Sequence, residues 1–296
     1  MSNENPRSIL SPVDFSEQSR HALRWAAAFA ARFGGRLTVV SVVDPLLAEA
    51  ARARLGRDLN LETEPALREF VATTWTSATP APAQIVFRTA IGDAAGAILE
   101  TAATESVDLI VMGTQGLGGL RKWLLGSTTE RVLRRARVPV LAVPGADASV
   151  TPEAGAVPHI LAATDFTGPS VAAAKVAGQL ARAFSAGLTL MHVVEPVTVL
   201  PEWLPIAEES DERRIGSARE KLRALAEQIC GSQECEQVVA LGRPDDLISS
   251  TAIARGVGLV VMGLAGEQGM FAPRPGSIAY RVLSSTTVPV LVVPAS

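Results

Sequence analysis

The sequence predicts an α/β protein built of two tandem doubly wound domains, each a five-strand parallel sheet with helices on both faces. Three observations carry that prediction. The 296-residue chain repeats itself at an offset of 150 or 151 positions. Within each copy, short apolar β-rich runs alternate with stretches of helical spacing. In both copies a Gly-x2-Gly-x9-Gly-Ser pattern follows directly on an apolar run, first as Gly113, Gly116, Gly126 and Ser127, then as Gly263, Gly266, Gly276 and Ser277.

The duplication rests on ordered correspondences. Pro12-Val-Asp-Phe-Ser answers Ala163-Thr-Asp-Phe-Thr, and Ser41-Val-Val-Asp-Pro answers His192-Val-Val-Glu-Pro. Further on, Gly92-Asp-Ala-Ala-Gly-Ala-Ile answers Gly242-Arg-Pro-Asp-Asp-Leu-Ile, and Val138-Pro-Val-Leu-Ala-Val-Pro answers Val288-Pro-Val-Leu-Val-Val-Pro. A fixed period with almost no drift marks repeated structural units. The domains are placed at 1–146 and 157–296, with the Pro-, Gly- and Ala-rich stretch 144–158 as the linker.

In the first copy strands are expected at 8–13, 36–43, 84–88, 109–112 and 140–143. After the first, Ala22, Trp25, Phe29 and Phe33 recur at the three-to-four-residue spacing of one helix face. After the second, Leu67, Phe70, Val71, Thr74 and Trp75 do the same. The continuous apolar runs Leu109-Ile-Val-Met and Leu259-Val-Val-Met fit strands buried on both faces, as parallel strands are. A further helix is expected to begin at Gly126-Ser127-Thr128 and run to about Arg137.

Composition bounds the function. With 48% hydrophobic and 19% charged residues the chain can fill two ordinary cores. A formal charge of -3 and the lack of a long Lys/Arg run leave no electrostatic footprint for nucleic acid. The N-terminus lacks a basic start followed by an apolar core, and no apolar run is long enough to span a bilayer, so a cytoplasmic protein without membrane contact is expected. Cys230 and Cys235 fall at a helix end and a strand start; in such a compartment two reduced thiols are favoured over a redox pair. His21, His159 and His192 show no metal-ligand spacing.

In an open doubly wound sheet, ligands sit beyond the carboxyl ends of the strands where the strand order reverses. The first and fourth strands of a five-strand unit flank that point. Asp14 and Asp165, which follow the first strands, and the glycine loops after the fourth are thereby expected to converge. Glycines allow close approach to the backbone, and a helix start offers unpaired N–H groups with a partial positive charge. With the hydroxyls of Ser127 and Thr128 these suit ribose and phosphate oxygens. The plainer alternative is that the glycines only turn the chain and Ser127 only caps a helix. Asp14 is likewise open between accepting from a ligand and capping a turn. A P-loop is excluded because no lysine directly precedes Ser127, and the dinucleotide fingerprint is excluded because Gly116-Leu-Gly-Gly-Leu-Arg breaks its spacing and follows the wrong strand.

Val13-Asp-Phe-Ser, the strand ending Val42-Val-Asp-Pro, the glycine spacing and the closing Val138-Pro-Val-Leu-Ala-Val-Pro together resemble the universal stress protein family in its tandem two-domain form. The likeness covers the chain except the variable segments 46–65 and 196–212, and its glycine pattern is that of the ATP-binding branch. The resemblance implies strand order 3-2-1-4-5 and ATP as the ligand, with Mg2+ the candidate counter-ion. It places Pro12, Asp14 and Val42 around adenine, Met112 and Gly113 near base and ribose, and Gly116, Gly126, Ser127 and Thr128 on the phosphates. In the second copy the matching positions are Thr164, Asp165, Val193, Met262, Gly263, Gly266, Gly276, Ser277 and Ile278. It also implies that the last strand, which pairs two subunits in single-domain members, pairs the two copies of this chain into an intramolecular pseudo-dimer. A further homodimer stays open.

The copies differ inside the loop. The first carries Arg121 and Lys122, which either meet a triphosphate or are merely solvated. The second has Pro273 and Pro275, which remove two backbone donors, and keeps Arg274 as its cation. The first site is therefore expected to be the stronger. No general base for water is evident in either loop, and His192 ends a strand on the adenine side. The expected function is an ATP-binding stress-response regulator that acts through nucleotide occupancy and an unknown protein partner, not an enzyme. The alternatives are a slow ATPase or phosphoryl or nucleotidyl transferase, and a nucleotide-independent scaffold.

Overall fold

Ser16 begins the first helix by accepting from the Ser19 amide at 3.1 Å, and Gly34, in the left-handed region at φ 61°, ends it. Between these caps Ala22, Trp25, Ala26 and Phe29 form one buried face, with the Trp25 and Phe29 rings 6.3 Å apart. The next residue, Gly35, passes so close to the strand before it that a Cβ there would lie 2.6 Å from the Arg7 carbonyl oxygen. Sequence-local signals of this kind recur along the chain. In this computed structural model the described residues are 6–75, 82–114, 125–145, 157–231, 235–264 and 278–295. The chain divides into two units, Met1–Ala156 and Val157–Ser296.

The first unit runs β1 (Ser8–Pro12), α1 (Glu17–Phe33), β2 (Arg36–Val43), α2 (Pro45–Leu55), α3 (Leu59–Thr74), β3 (Gln84–Ile91), α4 (Ala94–Thr104), β4 (Leu109–Gly113), α5 (Ser127–Arg135) and β5 (Val140–Val143). All its strands are parallel, in the order β3-β2-β1-β4-β5. Helices α1 and α3 pack against each other, as do α4 and α5, leaving the sheet between two helical layers. The second unit runs β6 (His159–Ala163), α6 (Gly168–Phe184), β7 (Gly187–Val194), α7 (Leu204–Cys230), β8 (Glu236–Leu241), α8 (Pro244–Ala254), β9 (Leu259–Leu264), α9 (Ile278–Ser285) and β10 (Val290–Pro294). Its parallel order, β8-β7-β6-β9-β10, repeats the first.

Departures from the sequence reading have local causes. Helix α2 lies in the variable segment; Asp44 caps it by accepting from the Leu46 amide at 2.8 Å, and Pro45 occupies its first turn. It buries only Ala51, so it carries no apolar periodicity to detect. The second unit replaces α2 and α3 by the single 27-residue α7. The expectation of two reduced thiols is overturned: Cys230 and Cys235 form a disulfide. The end of α7 and the approach to β8 bring their α-carbons to 6.3 Å, inside bridging range, a closeness that composition does not reveal. Among the described residues no helix is long and apolar enough to cross a membrane, and no group of three or more His, Cys, Asp or Glu side chains could hold a metal ion.

Two half-buried histidines make stability depend on pH. Burial, helped by Arg24 and opposed by Glu17, lowers the His21 pKa, and burial with Arg255 nearby lowers that of His159, both from an ordinary 6.5. The unfolded chain therefore binds protons near that value that the folded chain refuses. This contribution is complete above pH 6.5 and is lost as the pH falls toward the folded values. Denaturant midpoints measured between about pH 8 and about pH 5 are expected to fall on the acid side, and less steeply in His21→Gln and His159→Gln.

Candidate functional site

Where β1 ends, the chain turns sharply through Asp14-Phe-Ser16. The Asp14 Oδ1 accepts from the Ser16 amide at 3.1 Å and from the Ser16 hydroxyl, closing a short side-chain turn. Phe15 is held at φ 64°, a left-handed conformation costing about 1–2 kcal/mol for a bulky residue. The second unit repeats every part. Asp165 Oδ1 accepts from the Thr167 amide at 3.0 Å and its hydroxyl at 2.6 Å, and Phe166 stands at φ 65°. The same strained conformation stands at the same point in both copies. Burial raises the Asp165 pKa, but hydrogen bonds from Ser170 and Thr167 outweigh it and hold the carboxyl below its ordinary value. The carboxylate there is ionised and anchored.

The two phenylalanines are seated differently. Phe15 meets Phe70 of α3 edge-on at 5.5 Å, with the Arg20 guanidinium 4.1 Å over the Phe70 ring. Phe166 instead lies 4.5 Å from the His192 ring, with the Lys221 ammonium 5.7 Å from its centroid. His192 donates from Nδ1 to the Thr164 carbonyl at 2.7 Å, so this histidine fastens the turn.

At the end of β4 the chain is tied to the start of α5 across the glycine loop. The Gly126 amide donates to the Thr114 carbonyl at 2.7 Å, and the Thr129 hydroxyl donates to the Gly113 carbonyl at 2.8 Å. Gly126 is the N-cap and no side chain caps this helix start; Ser127 is its first helical residue. The alternative in which Ser127 merely caps the helix is therefore incorrect. Its hydroxyl and the first amides of α5 stand at the positive end of the helix dipole, an arrangement suited to an anion.

A bidentate pair joins α5 to the start of α4. Arg131, one turn in, donates through both terminal nitrogens to Asp93 at 2.6 Å each, while Asp93 also caps α4 by accepting from the Gly96 amide at 2.9 Å. The hydrogen bonds from Arg131 and then Gly96 hold the Asp93 carboxyl below its usual range. In the second unit Arg243 stands where Asp93 would, and the acid moves two residues on: Asp245 pairs with Arg281 of α9 at 3.3 Å and with Arg243 at 3.1 Å. The same tie between neighbouring helices is rebuilt from different positions. Neither pair was singled out in the sequence, because each joins residues about 40 apart that no spacing rule connects.

Parallel pairing sets the first and fourth strands side by side. Leu10 lies level with Ile110, and continuing that register brings Pro12 level with Met112. In the second unit Ala163 is directly level with Met262. Gly263 then lies against the start of α6: a Cβ on it would sit 2.5 Å from the Pro169 carbonyl carbon and oxygen and 2.6 Å from the Ser170 nitrogen. The end of β9 thus touches the first residues of the helix that follows Asp165, about a hundred residues earlier.

Pro12, Asp14, Val42, Met112, Gly113, Gly126, Ser127 and Thr128 all lie at the carboxyl ends of β1, β2 and β4 or at the start of α5. In the second unit Asp165, Val193, Met262, Gly263 and Ile278 hold the matching places. The position that answers Pro12 is Ala163; Thr164 answers Val13, and its amide bonds Met191 as Val13 bonds Val40. Gly116, Arg121, Lys122, Gly266, Pro273, Arg274, Pro275, Gly276 and Ser277 lie outside the described residues.

The universal stress protein family matches this chain twice, over residues 6–144 and 157–294. A universal stress protein of Mycobacterium tuberculosis is 30% identical over 296 residues, covering 95% of this chain and 94% of its own length. One from Mycolicibacterium smegmatis is 28% identical over 302 residues, covering 96% of each. The crystal structure of a universal stress protein from Archaeoglobus fulgidus is similar with a TM-score of 0.68 at 19% identity, covering 98% of this chain and 99% of that one.

Proposed function

Since the chain belongs to the universal stress protein family, with two such domains in tandem, we propose that it binds ATP and acts as a stress-response regulator through nucleotide occupancy. The observation that carries this reading is the meeting of the strained Asp-Phe-Ser/Thr turn, the glycine at or next to the end of the fourth strand and, in the first unit, a helix start without a side-chain cap. Asp14 and the backbone near Val42 would hold the base, Met112 and Gly113 would flank it and the ribose, and Ser127, Thr128 and the first amides of α5 would hold phosphate. These groups fit the ligand, since amides and hydroxyls at a helix N-terminus complement phosphate charge. Mg2+ would be carried by the phosphates, as magnesium commonly is.

The first site is the stronger in this proposal, because its loop keeps the backbone donors that Pro273 and Pro275 remove from the second. The expected count is one tightly held nucleotide per chain, with weaker occupancy of the second unit. Release of nucleotide by denaturation and its quantification by mass and absorbance checks this; protein that carries none and gives no heat on titration with ATP would leave the scaffold reading. The regulator reading excludes fast chemistry. Single-turnover hydrolysis of labelled ATP no faster than the spontaneous rate supports it, and faster turnover would make the protein an ATPase.

A further inference from the structure

We propose that Cys230 and Cys235 are a reversible thiol–disulfide couple, a covalent modification site of the second unit alone. They are the only two cysteines of the chain, and they are joined. Cys230 is the last residue of α7 and is buried, whereas Cys235, just before β8, is half-buried. A disulfide with one partly accessible member can be reached by an external thiolate, which a fully enclosed staple cannot.

The two units hold the matching helix end by different means. In the first, α1 reaches across to the end of α3: Arg20 Nη1 donates to the Thr74 hydroxyl at 2.8 Å and Arg24 Nε to the Thr74 carbonyl at 3.3 Å. These bonds do not respond to oxidants. In the second, Arg182 Nη1 of α6 donates to the Ile229 carbonyl at 3.0 Å, and Gly178 leaves room for the Ile229 side chain. The disulfide is made at the residue after Ile229. Oxidation state therefore sets how firmly the last turn of α7 is joined to the start of β8.

The oxidant is a low-molecular-weight disulfide. A cysteine thiolate attacks one of its sulfurs and releases one small thiol; the second cysteine then displaces the other. Two protein thiols and one R–S–S–R give one protein disulfide and two R–SH, and an excess of small thiol reverses both steps.

The test uses the full-length protein equilibrated in mixtures of reduced and oxidised glutathione, blocked with N-ethylmaleimide and weighed intact. The expected result is one transition between a mass with two adducts and a mass with none, with little single adduct. Amide exchange is expected to rise in the reduced form around Ile229, Cys230 and the start of β8, with the first unit unchanged. Two adducts at every ratio, or glutathione retained on both cysteines, would overturn the proposal. So would a disulfide that survives excess dithiothreitol in the folded protein. Cys230→Ser is expected to take up one glutathione on Cys235 and to lose the redox-dependent exchange; persistence of that difference would also overturn it.

Discussion

Asp14→Ala is expected to weaken ATP binding to the first unit about 10- to 100-fold while leaving the unit folded. A hydrogen bond to a charged group contributes about 1.5–3 kcal/mol, and each 1.4 kcal/mol is about a factor of ten in affinity. Two effects add in this variant: the ligand loses an anionic acceptor, and the Ser16 amide and hydroxyl lose the oxygen that closes the turn. The fold should survive because Ser16 still caps α1 through the Ser19 amide, independently of Asp14. Asp14→Asn separates the two effects, since it keeps an acceptor for Ser16 without the charge. Calorimetric titration of the full-length variants, beside Asp165→Ala as the second-unit counterpart, reads the result. Unchanged affinity in Asp14→Ala with the tight site still present would refute the assignment of that site to the first unit.

Gly263→Ala is expected to destabilise the second unit by about 1–3 kcal/mol, the usual range for forcing a group into packed structure. The added methyl would lie 2.5 Å from the Pro169 carbonyl carbon and oxygen, which are backbone and cannot swing aside. Either the end of β9 or the start of α6 must shift, and both border the candidate site. Gly168→Ala is the control: it lies at the start of the same helix with nothing within 4 Å of a Cβ, so it should be neutral or slightly stabilising. Denaturant unfolding followed by hydrogen exchange, which reports each unit separately, distinguishes the two. Equal stability of the two variants would show that the contact yields without cost.

Much of this was legible before folding because it is local. The apolar run Leu109–Met112, the glycine after it and the helix start at Ser127 each declare themselves within a few residues, and their repetition 150 residues later excludes coincidence. Helix α2 was not legible, since Ala51 alone is buried on it and a surface helix of that kind leaves no stripe. Nor was the role of Ser127, which differs from a cap only by standing one residue inside the helix. The tie between Arg131 and Asp93 could not be read at all, and its rebuilding as Arg281 with Asp245, the acid two residues further on, keeps the residue types while the acid changes position.

By itself the sequence determined the two tandem α/β units, the strand ends at which a ligand would sit, and the residue types waiting there, because hydrophobic period, glycine placement and capping act over short stretches of chain. Only the tertiary structure decided that Gly263 rests on the start of the helix after Asp165, that His192 bonds the Thr164 carbonyl beside Phe166, and that Cys230 is joined to Cys235. The first two depend on strand register and helix packing between residues far apart in the chain, and the third on where a helix happens to end beside a strand. No local period encodes such distances; they are set when the elements pack.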